Sequence, residues 1–320
     1  MRRVVTRARF LLSPRHHRQA RGLGLPDNHP FLPRAVNHQE WRQSVPVNSM
    51  DYSGKDTVLD VIRTERGRFF AIMDDPANWY VPTRCTGWEV RDLVGHMIDV
   101  TEGYLDRWDL ARGGAAAPDP IGVVPMGETL NRHALALRRL SREEAVGRLK
   151  TASNKMMGIF DGLTADEWGS FLVNHPYMGP LPTLFYPAFH VMDYGVHTWD
   201  MEWGLGRKGD ADKMDERTAG VLVPYMFVLM SATVDQKAAA GLDLDYGVVV
   251  DGEWGGKWRV KVKDGTYTAT PSDDLDGVQA TMHFKDASDF VLTTFQRIDA
   301  SEATGDPEAI AKIRSMFFRI

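Results

Sequence analysis

Between Thr183 and Trp203 the chain sets four ionisable side chains into a stretch that is otherwise apolar nearly all round. His190, Asp193, His197 and Asp200 follow one another at steps of 3, 4 and 3 residues. On a helix turning 100° per residue they fall within about 80° of one another. Phe189, Met192, Val196, Trp199 and Trp203 fill the surrounding positions, and a helix with so little polar surface is a buried one. Burying four ionisable groups without partners would cost several kcal/mol, so the fold must bring something to satisfy them.

Geometry narrows what that can be. His190 and His197 are separated by about 10.5 Å along the axis at 1.5 Å per residue, whereas donor atoms on one ion lie about 2.0–2.2 Å from it. These two imidazoles cannot easily share an ion on a straight helix. Asp193 with His197 can, and so can His190 with Asp193. Either pair needs a third ligand from a facing helix, and His96 is the best available. His and carboxylate donors suit zinc and, with less preference, iron, nickel or manganese. Three protein ligands would leave a position open for water or a substrate thiol. The competing reading is a purely structural network, with these groups bonded to one another and to Trp or Tyr. The spacing alone does not decide between the two.

The rest of the chain supplies the facing helix. From Met50 onward the apolar pattern is helical. Val58, Leu59, Ile62, Phe69, Phe70 and Met73 recur at three- and four-residue steps, predicting a helix over about 55–73 that stops before Pro76. Thr86-Gly-Trp-Glu89 has the form of a capping box and predicts a second helix over about 87–111, with His96 at the edge of its apolar face. A Gly/Pro/Ala loop follows, then a helical stretch to Leu140, and Ser141-Arg-Glu-Glu144 opens another helix to about Leu163. Residues 168–182 read as a loop. The stretch opened above is the fourth long helix, with Pro187 expected to kink its start and Gly204 and Gly206 ending it. A polar linker, Arg207 to Lys213, precedes one more helix over about 215–234. The period then changes to two, predicting strands over about 246–251, 257–263, 266–270 and 278–284, before helices over about 287–296 and 307–318.

The expected fold class is therefore all-α followed by α+β in a multidomain chain: residues 50–207 form a helical bundle and residues 208–320 a small α+β domain. Residues 1–49 hold nine Arg and no Lys against Asp27 and Glu40, a charge of +7, and five prolines break them up. Three readings stand for them: a disordered leader, an organellar transit peptide, or a mis-called start with Met50 as initiator. The total is −5, so the remainder carries −12, and such an acidic body disfavours nucleic acid, whose phosphates need a basic footprint. No window reaches the roughly 18–20 apolar residues of a membrane helix. The single cysteine, Cys85, excludes an intramolecular disulfide and an all-cysteine zinc site, and makes the cytoplasm the default compartment.

Two segments carry a resemblance. Trp79-Tyr-Val-Pro-Thr-Arg-Cys-Thr-Gly-Trp-Glu-Val-Arg-Asp-Leu-Val-Gly-His96 and Asp193-Tyr-Gly-Val-His197-Thr-Trp-Asp200-Met-Glu-Trp-Gly-Leu-Gly206 look like the two signatures of the mycothiol-dependent maleylpyruvate isomerase family, within the DinB-like metal-binding four-helix bundles. The resemblance spans about residues 54–206. It implies a four-helix bundle that holds a divalent metal, zinc by expectation, on His96, Asp193 and His197, with His190 or Asp200 orienting the ligands. Asp193 stands where the namesake isomerases have Glu, and its shorter arm would draw the ion toward the helix or loosen its grip. The run Ala280-Thr-Met-His-Phe-Lys-Asp-Ala-Ser-Asp-Phe, with Gly305-Asp-Pro-Glu-Ala-Ile, more loosely resembles a sterol-carrier-protein-like C-terminal domain.

The function so implied is thiol transfer, or thiol-assisted isomerisation, of a small electrophile, with mycothiol as the low-molecular-weight thiol. The alternative is a carrier of an apolar small molecule or lipid with a structural metal. A third reading is a metal- or thiol-responsive regulatory module. Cys85, in the loop before a helix, would have a depressed pKa if the helix N-terminus reached it, though a buried structural thiol is the commoner outcome. His133 and His175 have no spacing partners and are expected at the surface or in loops.

Overall fold

The computed structural model describes residues 48–318. The readings made for residues 1–47 lie outside the described residues. Asn48 and Ser49, counted above with the leader, are buried: Ser49 Oγ donates to the Val221 carbonyl at 2.7 Å, and Tyr225 Oη donates to the Ser49 carbonyl at 2.7 Å.

The helical half runs α1 (Lys55–Asp74), α2 (Val90–Arg112), α3 (Met126–Ala136), α4 (Arg142–Gly162), the short α5 (Ala165–Ser170) and, after a hairpin, α6 (Phe185–Gly204). α1 packs along α6 and α2 along α4, giving a four-helix bundle with α3 laid against α2. Ser141 and Glu144 cap α4 reciprocally, as their spacing predicts. Buried Lys55 donates to the carbonyls of Asp161 and Leu163, placing a cation at the C-terminal end of α4. Pro187 falls in the first turn of α6, where its missing N–H deprives the helix of nothing.

Two loops differ from expectation. The second helix starts at Val90, not Gly87, and its capping box is made by Glu89 and Asp92. Gly87 has φ +82°, which ends any helical continuation there. Residues 82–89 instead fold back on themselves, with Thr83 N–H on Trp88 O at 2.8 Å and Val90 N–H on Val81 O at 3.0 Å. Residues 168–182, read as a loop, include the end of α5 and a hairpin of β1 (Leu172–His175) and β2 (Gly179–Pro182). Thr164 and Glu167 cap α5 by the same S/T-x-x-E device as elsewhere in the chain.

α7 (Glu216–Thr233) follows, and then β3 (Asp243–Val250), β4 (Gly256–Lys263), β5 (Thr266–Pro271), β6 (Ala280–Phe284), α8 (Ala287–Thr294), β7 (Glu302–Gly305) and α9 (Pro307–Ser315). The sheet order is β5-β4-β3-β6-β7, with β3 and β6 parallel and the other neighbours antiparallel. Alternate residues Tyr246, Val248, Val250, Trp258, Val260 and Val262 are buried on one face, as the period of two requires. α7, α8 and α9 pack on this sheet, and Phe227 joins the layers with ring centroids 4.8 Å from Trp258 and 5.2 Å from Phe290. β7, four residues long, was not expected from the sequence. The outcome is a mainly helical part, with one hairpin, followed by a mixed-sheet part. Among the described residues no helix is long and apolar enough to cross a membrane.

Candidate metal centre

α2 and α6 meet where the apolar face of α2 turns inward, and this carries His96 to the α6 stripe. His96 Nε2 lies 3.7 Å from Asp193 Oδ1, and the His96 and His197 ring centroids are 5.0 Å apart at 87°. One ligand atom from each of His96, Asp193 and His197 falls within 4.8 Å of the other two. Two donors at about 2.1 Å from one ion are separated by at most about 4.2 Å, so a small closing movement at the outermost contact brings all three into range. The donor set, two imidazoles and a carboxylate, is that of a zinc-type site with an open position. The ionic contact of the Asp193 carboxylate is with His96. Burial would raise the pKa of its carboxyl, but His96, His197 and His190 outweigh it and hold the group lowered and ionised.

His197 is held from its other side. Its Nδ1 lies 2.9 Å from Asp200 Oδ2, which leaves Nε2 as the nitrogen free to take a ligand role. Asp200 is fully buried and is in turn gripped by Arg297: Nε reaches Oδ1 at 2.8 Å and Nη2 reaches Oδ2 at 3.0 Å. Burial works against the ionised carboxylate, yet Arg297 and His197 keep Asp200 well below the usual carboxylate range. Arg297 comes from the turn after α8 in the sheet part. It also donates to Phe295 O at 3.0 Å, and its own carbonyl accepts from Arg84 at 2.8 Å. The two halves of the chain are thus locked together directly behind the trio.

Cys85 completes this layer. Its Sγ lies 3.1 Å from Asp200 Oδ2, 3.2 Å from Arg297 Nη2 and 4.0 Å from His197 Nδ1. Gly204 makes the approach possible: a Cβ there would sit 1.9 Å from the Pro82 carbonyl, so the 82–89 loop rests directly on the α6 backbone. Burial and then the Asp200 charge push the thiol pKa far up. The expected depression of its pKa is therefore overturned, burial and the neighbouring carboxylate both acting in the opposite direction. Cys85, His197 and Asp200 form a second possible ligand set, but the guanidinium already sits on two of its three members.

His190 is placed otherwise. Its Nδ1 donates to Tyr186 O at 3.1 Å, its Nε2 is buried without a partner, and no hydrogen bond joins it to the trio. Its only link to Asp193 is through charge, and burial pushes its pKa down to about 4. His175, expected in a loop or at the surface, is 4% exposed on β1 and reaches Tyr104. His133 Nδ1 pairs with Asp99 at 3.1 Å at the half-exposed rim.

A cavity of about 840 Å³ lies over the trio. A second, of about 1110 Å³, opens between the sheet, α7 and α8, and both are walled by Leu229, Phe295 and Arg297.

Residues 62–202 match the family model described as the mycothiol maleylpyruvate isomerase N-terminal domain. That stretch of the bundle is similar to this domain. Among solved structures, the mycothiol-dependent maleylpyruvate isomerase aligns over 78% of this chain and 92% of its own length, at 13% identity and a TM-score of 0.53. A histidine-to-alanine mutant of that isomerase aligns at 12% identity over the same shares, with a TM-score of 0.52. At these identities the likeness shows the fold alone. Since 78% of the chain exceeds the matched 62–202, the shared fold continues beyond the maleylpyruvate isomerase N-terminal domain. The colibactin self-resistance protein ClbS, in complex with double-stranded DNA, aligns over 48% of this chain and 97% of its own at 15% identity; its TM-score of 0.41 carries no argument. No curated protein matches the chain.

Arg297 was missed by sequence reasoning. A single arginine 97 positions from its partner leaves no spacing signal, and only the demand that buried Asp200 find a cation could have pointed to it.

Proposed function

We propose that the chain is a metal-dependent enzyme of the maleylpyruvate isomerase type, using a low-molecular-weight thiol, mycothiol by family, on a small electrophile. The observation that carries the reading is the meeting of His96, Asp193 and His197 at the wall of a cavity, with Asp200 fixing the tautomer of His197. His96 Nε2, His197 Nε2 and an Asp193 oxygen would hold the ion, with zinc the best fit to two imidazoles and one carboxylate. A divalent ion bound there would lower the pKa of a thiol and favour thiolate, the nucleophilic form. The protein's own share is to hold the ligands, fix the imidazole and exclude water with the surrounding apolar wall.

The test is elemental analysis of the full chain beside His96→Ala and Asp193→Ala. About one ion per chain, falling by at least roughly tenfold in each variant, is the expected result. Addition of mycothiol to the cobalt-substituted protein should then give a sulfur-to-metal charge-transfer band in the near ultraviolet. Metal content indifferent to either substitution would sink the reading.

A second reading keeps the carrier. The 1110 Å³ cavity has an apolar side of Tyr246, Val248, Met282, Phe284 and Phe290 and a charged side that includes Lys213, Asp289 and Arg314, a setting for a ligand with an apolar tail and a polar head. Stoichiometric retention of a fatty acid by the full chain, unaltered by His96→Ala, would favour it.

A further inference from the structure

We propose that the cavity over the trio has a second anchor, made by Arg107 and Tyr104, which holds a carboxylate at the end away from His96. The ligand is then an elongated molecule, with one end at the trio and its carboxylate on this pair. The proposal rests on the reading of the trio as the metal-binding wall of a substrate site.

The anchor lies on α2 itself. His96, Asp99, Val100, Gly103, Tyr104 and Arg107 all line the cavity, at helical steps of three and one, so one face of α2 runs along it. Eight residues separate His96 from Tyr104 and eleven separate it from Arg107, about 12 and about 16.5 Å of helix axis. Long helical side chains lean toward the N-terminus, which brings both tips back toward the trio. Gly103 leaves the interval open: a Cβ there would meet nothing within 4 Å.

Arg107 is a cation in want of an anion. Its Nη1 donates to the Pro118 carbonyl at 3.0 Å, which fixes the guanidinium and leaves its other N–H groups for a ligand. No carboxylate pairs with it among the described residues, whereas Arg297, the other arginine at the cavity, is engaged by Asp200. Tyr104, one turn away on the same face, adds an unused proton. The Nδ1 of His175 accepts the backbone N–H groups of Tyr177 and Met178, both at 3.2 Å, so the neutral ring carries its proton on Nε2. Burial, with the Arg107 charge acting in the same direction, lowers the His175 pKa to about 3 and keeps the ring neutral. Nε2–H therefore donates to Tyr104 Oη at 3.2 Å, and no acceptor for the Tyr104 O–H occurs among the described residues. Tyr104 is only 7% exposed, and burial holds its proton in place.

The charges agree once the ion is counted. A divalent ion outweighs the single charge of Asp193 and leaves the trio end net positive, and Arg107 makes the other end positive too. Of the remaining acids at the cavity, Asp99 pairs with His133 at 3.1 Å, and Asp106 and Glu128 are exposed to water, which screens them. A carboxylate between a guanidinium and a hydroxyl gains charge-assisted hydrogen bonds, which are stronger than neutral ones.

Mercaptocarboxylates test this, in a series from 3-mercaptopropionate to 8-mercaptooctanoate, each beside the alkanethiol with the same number of carbons. A metal-held thiol fixes one end of both probes, and only the carboxylate differs. Binding is read by calorimetry on the full chain as purified, with no turnover. At the best length the mercaptocarboxylate should bind at least about tenfold more tightly than its alkanethiol, although it is the less apolar probe. The shortest members should lose that advantage, because they cannot span the two anchors. Arg107→Met should erase the advantage and Tyr104→Phe should reduce it by about 5-fold. Both variants should keep the wild-type affinity for the alkanethiol, a signature that general loss of structure would not leave. An advantage absent at every length, or undiminished in Arg107→Met, would overturn the proposal while the metal reading stands. If neither kind of thiol binds, the proposal falls, and elemental analysis then tells whether the metal reading falls with it.

Discussion

His190 and His197 stand two turns apart on α6, both on its inward side, yet they end in opposite roles. His197 has its Nδ1 tied to Asp200, which Arg297 anchors, and so offers Nε2 beside the cavity. His190 spends its Nδ1 on a backbone carbonyl of its own helix and buries Nε2 among the rings of Tyr104, Phe160 and Tyr194. An imidazole becomes a ligand when its second nitrogen is held by something rigid and its first faces open space. Burial alone only makes it neutral. What separates the two ends of α6 is one salt bridge from the far half of the chain.

Removing that bridge should have the largest effect. Arg297→Met leaves Asp200 buried without its cation, and breaking a buried pair in this way costs about 3–5 kcal/mol. Chemical denaturation should show this loss. A change under about 1 kcal/mol would mean that His197 and the 85–88 loop satisfy Asp200 alone, and the comparison would lose its cause.

The His190 end is the next in size, and it is read by pH. Folded, His190 has its pKa lowered to about 4 by burial; unfolded, it takes a proton near 6.5. Between those values the unfolded state binds more protons, so stability present above about pH 6.5 is lost as pH falls toward 4. At pH 5 the loss is about 2 kcal/mol relative to pH 7, and His175, whose pKa burial lowers to about 3, adds a loss of the same sign. His190→Phe should remove its share of the slope and leave metal content unaltered. A slope unchanged by that substitution would place His190 in water-accessible surroundings.

Much of this contrast was legible in the chain itself. Steps of 3, 4 and 3 put the four groups on one face because a helix repeats every 3.6 residues, and the strands of the sheet half declared themselves through their period of two. Thr86–Glu89 misled because a capping box is a pattern of four letters, whereas Gly87 at positive φ is a property of the folded backbone. β7 has too few residues to show a period. Arg297 and Cys85 reach the site only through packing between halves of the chain, and no local rule encodes that. His175 looked isolated because its partners are two backbone N–H groups and a tyrosine 71 positions away.

Asp200→Asn sharpens the comparison at a smaller scale. The amide oxygen can still accept from His197 Nδ1–H, but the charge that raises the basicity of the ring is gone. Metal affinity should fall by about 10- to 100-fold, as for other loss of ligand-orienting partners, measured by competition with a chromophoric chelator. Unchanged affinity would reduce Asp200 to a structural partner of Arg297.

The smallest expected effect decides between the two overlapping ligand sets. His197 belongs to both: with His96 and Asp193 through Nε2, and with Cys85 and Asp200 through Nδ1. Arg297 already donates to Cys85 Sγ and to both Asp200 oxygens, and its positive charge would repel a cation placed there. The same surroundings keep the thiol protonated, and a protonated thiol is neither ligand nor nucleophile. Cys85→Ser should therefore leave metal stoichiometry intact and shift stability by no more than about 1 kcal/mol. In the native protein Cys85 should react with a disulfide reagent far more slowly than in denaturant. If Cys85→Ser instead lost its metal while His96→Ala kept it, the ion would belong on the other face of His197, and the order of the two layers would be reversed.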